Sequence, residues 1–94
     1  MIGSYRDRDT ERLAAGERVR PWEPFRKQAE KRLRILEAAT SLVDLAALNS
    51  NRLEALKGGR AGQYSIRINA QWRICFKWPD GAPGPVDVEI VDDH

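Results

Sequence analysis

The chain reads as an α+β fold. It has an N-terminal strand and two helices packed on one face of a small, mostly antiparallel sheet, in the order β-α-α-β-β-β-β. Two observations predict this. Apolar residues recur at three- and four-residue spacing between Trp22 and Leu36, and alternate with polar ones from Gly62 to Trp78 and from Val86 to Val91. Turn-forming stretches separate these segments, so the strands connect as hairpins.

Taken in order, "MIGSY" supplies a short first strand, with Ile2 and Tyr5 free to pack. Asp9 or Thr10 caps a short helix running to about Ala15, and Gly16 ends it. Pro21 then opens the clearest helix, Trp22 to Ala39, whose inner face is Trp22, Phe25, Ala29, Leu33 and Leu36. Glu23–Lys27 and Glu30–Arg34 are favourable i,i+4 pairs on its outer face. "TSLVDLAAL" adds a final helical turn, with Thr40 or Ser41 as its cap. "RLEAL" begins the sheet, and "KGGRAG" is a Gly-rich connection. Gln63 to Ile68 and Trp72 to Trp78 form a hairpin about "NAQ". "PDGAPGP" is a loop, and Val86 to Val91 is the last strand.

Alternation assigns faces. Tyr64, Ile66 and Ile68, then Trp72, Ile74, Phe76 and Trp78, then Val86, Val88 and Ile90 form the core rows. Arg67, Arg73, Lys77, Asp87 and Glu89 fall on the other side, which is left open.

The 94 residues make one domain, 1–94, with 41% hydrophobic residues and a net charge of +2. No apolar run approaches the ~20 residues of a membrane helix. The start "MIGSYRDRDTER" turns charged at once, so no signal peptide is expected and a cytoplasmic location follows by default. Cys75 is the one cysteine and His94 the one histidine. That excludes an internal disulfide and the paired-ligand metal motifs, and no cofactor is expected. Charge is unevenly placed. Arg52, Lys57, Arg60, Arg67, Arg73 and Lys77 face a single acid, Glu54, in the same stretch. Asp80, Asp87, Glu89, Asp92 and Asp93 follow with no Lys or Arg among them.

An open sheet face carrying guanidinium and ammonium groups suits a phosphodiester, since Arg binds phosphate through two N–H groups and Lys acts as a point charge. The alternative is cross-strand pairing of Arg67, Arg73 and Lys77 with Asp87 and Glu89. Spacing favours pairing for Arg67 and Lys77 and leaves Arg73 open.

"NRLEALKG", "GQYSIRINAQWRICFKW" and the ending "VDVEIVDDH", with the opening "MIGSYRDRDTERL", resemble HigB-type host-inhibition toxins of the RelE/ParE-like toxin–antitoxin superfamily. The resemblance covers nearly the whole chain. It implies a RelE-like fold and a small cytoplasmic toxin, neutralised by a helix-turn-helix (HigA-like) antitoxin that alone brings it to operator DNA. It also implies mRNA cleavage on the translating ribosome without a metal. Lys57 matches the family's lysine in L-K-G, Arg73 the arginine of W-R-I, and His94 the C-terminal histidine. Some active relatives have His where this chain has Glu54, and Tyr where it has Asp93. Trp78 or Tyr64 is then the candidate platform for a base.

Metal-free RNA cleavage needs a base for the 2′-OH, cations for charge growing on the phosphate, and an acid for the departing 5′-oxygen. Arg73 and Lys57 are the candidate stabilisers. An imidazole titrates near pH ~6.5, so His94 suits proton transfer. Glu54 is either the base opposite His94 or a salt-bridge partner of Arg52 or Arg73. Asp93 either orients His94 or is a solvated tail charge. Arg67, Arg52, Arg60 and Lys77 are candidate RNA contacts. Arg26, Lys27, Lys31 and Arg34 on the long helix either bind ribosomal RNA phosphates or form a solvated face. Two rivals stand beside the nuclease: a ParE-like poison of DNA gyrase without an active site, and an inactive relative that only binds its antitoxin.

Overall fold

A computed structural model describes residues 1–92. Helix α1 spans Arg8–Ala14, α2 Arg26–Ala38 and α3 Leu42–Ala47. Strands β1 (Glu54–Ala55), β2 (Gln63–Arg67), β3 (Trp72–Lys77) and β4 (Val86–Asp92) pair antiparallel, in that order, as one four-stranded meander. The α+β architecture read from the sequence is the one observed.

Several details differ, each for a physical reason. The N-terminal segment makes one parallel bridge, Tyr5 to Val88, rather than a strand. It lies along the outer edge of β4, where Gly3 N donates to Pro85 O, Val88 N to Ser4 O and Arg6 N to Val88 O. The cap of α1 is Asp7, whose carboxylate accepts from Thr10 N. Thr10 itself is buried, and its hydroxyl accepts from Ile90 N at 3.0 Å, docking α1 on β4.

The long helix is preceded by a 3₁₀ stretch, Arg20–Phe25, and α2 proper begins at Arg26. Pro24 explains the break: it has no N–H to donate and disfavours helical geometry at Glu23. Glu23 and Glu30 pair with Arg26, at 3.8 and 3.4 Å, instead of Lys27 and Arg34.

The expected final turn is a separate helix. Ala39 is extended (φ −69, ψ 139), and Ser41 caps α3 by accepting from Asp44 N. Asp44 returns the bond, accepting from Thr40 N at 2.9 Å and from the Thr40 hydroxyl at 2.8 Å. These Thr40 bonds hold the Asp44 carboxyl below its usual 3.8. A carboxyl lowered in the folded state contributes fully above its unfolded pKa and loses that contribution as pH falls through its folded one. Acidification below pH ~4 should therefore loosen α3 first. Hydrogen exchange at Leu42 to Leu45 is the check, and Asp44→Ala should remove the pH dependence.

The predicted core rows are observed with one exception. Ile66, Ile74, Phe76 and Val88 are fully buried, joined by Ile68 and Ile90. They form one cluster with Leu13, Trp22, Phe25, Ala29, Leu33, Leu36 and Leu45 of the helical layer. Trp72 stacks on Phe25 (centroids 4.9 Å apart) and meets Trp22 edge-on. The exception is Val86. The β3–β4 register shifts by one residue between Cys75 and Lys77, so Val86 lies opposite Lys77 and leaves the core row. Asp87, at φ 51, takes up the extra residue as a bulge.

Candidate active site

The face away from the helices is not an open wet surface. Ser65 and Cys75 lie on it in cross-strand register, and both are buried. Long charged side chains cover them. Arg60 Nη1 donates to Gln63 Oε1 (3.0 Å) on β2 and to Glu89 Oε2 (3.1 Å) on β4, and so reaches across β3 over Cys75. Its hydrogen bond to Glu89 raises the Arg60 pKa above its usual value. Glu89 also accepts from Arg6 at 3.3 Å, tying the N-terminal segment to the same carboxylate. Lys77 pairs with Asp87 at 3.5 Å. Cross-strand pairing thus holds for Lys77. Arg67 instead donates to its own hairpin, to Asn69 O at 3.0 Å. In that hairpin Asn69 Oδ1 accepts from Gln71 N and Trp72 N, both at 2.8 Å.

Arg73 stands at the centre of the remaining cluster, with 12% of its side chain exposed. Its Nε donates to Ser65 Oγ at 2.8 Å, and its Nη2 to the Arg52 carbonyl at 3.2 Å. Glu54 Oε1 lies 3.6 Å from Nη1. Arg67 and Arg73 are direct cross-strand partners. Like charges in that register repel, so two guanidinium groups here favour an anion between or above them. Of the two readings of Glu54, the ion pair with Arg73 is present. Glu54 remains 59% exposed, so it also stays accessible to an incoming group.

Lys57 follows β1 and is exposed; its carbonyl accepts from Arg60 N at 3.2 Å, and its ammonium has no hydrogen-bond or ion-pair partner among the described residues. The structure therefore brings Arg73, Glu54, Arg67 and the Arg52 backbone together, and sets Arg60 and Lys77 into ion pairs. Asp93 and His94 lie outside the described residues. Among the described residues no group of three His, Cys, Asp or Glu side chains is placed to hold a metal ion. No helix among them is long and apolar enough to cross a membrane.

The family model described as the RelE-like toxin of the type II toxin–antitoxin system HigB matches residues 5–94. The chain belongs to that family. Among curated proteins it is similar to Toxin HigB-1 of Vibrio cholerae serotype O1 (strain ATCC 39315 / El Tor Inaba N16961), with 45% identity over 51 residues. That alignment covers 54% of this chain and 54% of the relative, so it spans about half the relative's length. In this HigB chain alternation put Arg73 on the sheet face away from the helices but gave no sign of two groups that hold it there, Ser65 and the turn at Arg52. Ser65 stood in the polar row of the alternation without any sign that it would be buried.

Proposed function

We propose that this HigB toxin is a ribosome-dependent endoribonuclease that cuts mRNA during translation, without using a metal. The observation that carries the reading is the Arg73 guanidinium, largely buried, bonded to Ser65 and the Arg52 carbonyl, and set opposite Arg67 with Glu54 beside it. A cation held this way needs little reorganisation when charge grows on a phosphate. Arg73 and Lys57 stabilise that charge. Glu54 takes the proton of the 2′-OH as it attacks the adjacent phosphorus. His94, oriented by Asp93, protonates the departing 5′-oxygen. Arg67 and Arg52 contact neighbouring phosphates. Arg60 and Lys77 join them only by giving up their pairs with Glu89 and Asp87.

The ribosome supplies the positioning that this small inventory lacks. Arg26 is engaged by Glu23, Glu30 and Gly16 O, which leaves Lys27, Lys31 and Arg34 of α2 for ribosomal RNA phosphates. Replacing those three with Gln should weaken ribosome binding at low salt and flatten its dependence on salt concentration. Sedimentation binding over a salt series is the check. The partner in this reading is a cytoplasmic, helix-turn-helix (HigA-like) antitoxin, through which the toxin reaches operator DNA.

The test is induction of the toxin in cells, with and without such an antitoxin, followed by mapping of RNA ends and of DNA breaks. Growth arrest with cuts inside translated frames, relieved by the antitoxin, is the expected outcome. Gyrase-linked DNA breaks with intact mRNA, or no growth defect at all, would overturn the proposal.

A further inference from the structure

The connection between α3 and β1 carries a polar group that the chemistry above does not use. Asn51 is fully buried. Its Nδ2 donates to Leu45 O of α3 at 3.1 Å, and its Oδ1 accepts from Arg32 Nη1 of α2 at 2.8 Å. Its backbone N–H donates to Leu48 O. One side-chain amide thus ties the connection to two helices. A buried amide used on both ends leaves orphaned partners when it is removed.

The next residue, Arg52, adopts the left-handed conformation, φ 47 and ψ 53. A residue other than Gly, Asn or Asp enters that region only when its surroundings hold it there. Upstream, the hold is Asn51. Downstream, it is Arg73, whose Nη2 donates to the Arg52 carbonyl. Two residues later β1 begins with Glu54, the carboxylate at 3.6 Å from Arg73. A single turn therefore sets both the carbonyl and the carboxylate that meet the guanidinium.

We infer that Asn51, backed by Arg32, is a positioning residue for Arg73: it locks the turn at Arg52, and through it the orientation of the guanidinium and of Glu54. The inference rests on the nuclease reading of the Arg73 cluster. Neither Asn51 nor Arg32 touches the RNA in this account. Their influence passes through the backbone at Arg52, and a small misplacement of Arg73 is enough to slow the chemistry.

The test measures cleavage of mRNA on programmed ribosomes by purified toxin carrying Asn51→Ala, Arg32→Ala or Arg32→Lys, each with Arg73 intact and with Arg73→Ala. A thermal melt reports folding. Asn51→Ala should lower kcat on the order of 10- to 100-fold with KM held within about twofold. Arg32→Ala should do the same more mildly, and Arg32→Lys, which keeps a donor for Asn51, should recover most of the loss. With Arg73→Ala present, either change should cost much less than it does alone, the remainder being what passes through Glu54. If Asn51→Ala does not fold, the two Arg32 variants carry the same test. A folded Asn51→Ala toxin with wild-type kcat, or losses that simply add to that of Arg73→Ala, would overturn the inference while leaving the nuclease reading intact. An Arg73→Ala toxin that cuts like wild type would instead overturn the nuclease reading itself.

Discussion

Arg73→Ala should lower mRNA cleavage on the ribosome by about 100- to 1,000-fold, the usual cost of removing one fixed charge-stabilising donor. Two effects have to be kept apart in that result. The substitution also removes the donor to the buried Ser65 hydroxyl and to the Arg52 carbonyl. An orphaned buried polar group costs about 1–3 kcal/mol of stability, so the variant will melt earlier. The ion pair with Glu54 adds little to this, because Glu54 is mostly exposed and such pairs contribute at most about 1 kcal/mol. A stability loss of that size does not empty the folded state of a domain stable by about 5–15 kcal/mol. The activity loss should therefore persist at temperatures where a melt shows the variant folded. Arg73→Lys should fall between the two. A lysine restores charge but not the planar fork that reaches Ser65 and Arg52 together.

Phe76→Ala should be the largest single loss of stability, about 3–5 kcal/mol. Phe76 is fully buried near the end of β3, stacked on Tyr64 and facing the helical layer. Truncation removes its buried surface and leaves a cavity that β2, β4 and the helices, all tied by hydrogen bonds, cannot close. In a domain of this size that is a large share of the total. Urea unfolding should show a lower midpoint with an unchanged slope. Val43→Ala is the control, since Val43 is 75% exposed and its loss should be within about 0.5 kcal/mol.

The sheet was the most legible part of this chain because its alternation is long and nearly unbroken. Ile66, Ile74, Phe76, Val88 and Ile90 could be placed on one face from spacing alone, and all are buried. Alternation fails where the backbone inserts a residue without a glycine to announce it. Asp87 takes a left-handed conformation in the bulge, and Val86 changes face as a result. The helices were legible in their apolar faces but not in their ends. Asp7 and Asp9 are equally good caps by type, and only packing of Thr10 beneath β4 selects the first. At the site, residue type separated cations from apolar residues but could not tell a buried polar group from a wet one. Ser65 and Asn51 read as ordinary polar residues, and both are buried supports of Arg73 or of the turn that meets it. Ion-pair partners were legible between adjacent strands, as for Lys77 and Asp87, although the bulge puts Val86 directly opposite Lys77. They were not legible for Glu89, which is claimed by Arg6 and Arg60 from outside the sheet.

The most direct measurement is primer-extension mapping of one mRNA incubated with purified wild-type or Arg73→Ala toxin, with and without translating ribosomes. Wild-type toxin and ribosomes together should give defined cuts within the translated frame. Few or none should appear without ribosomes, and folded Arg73→Ala should lose them. Cleavage by folded Arg73→Ala at the wild-type rate, or intact mRNA in the presence of wild-type toxin and translating ribosomes, would contradict the nuclease reading.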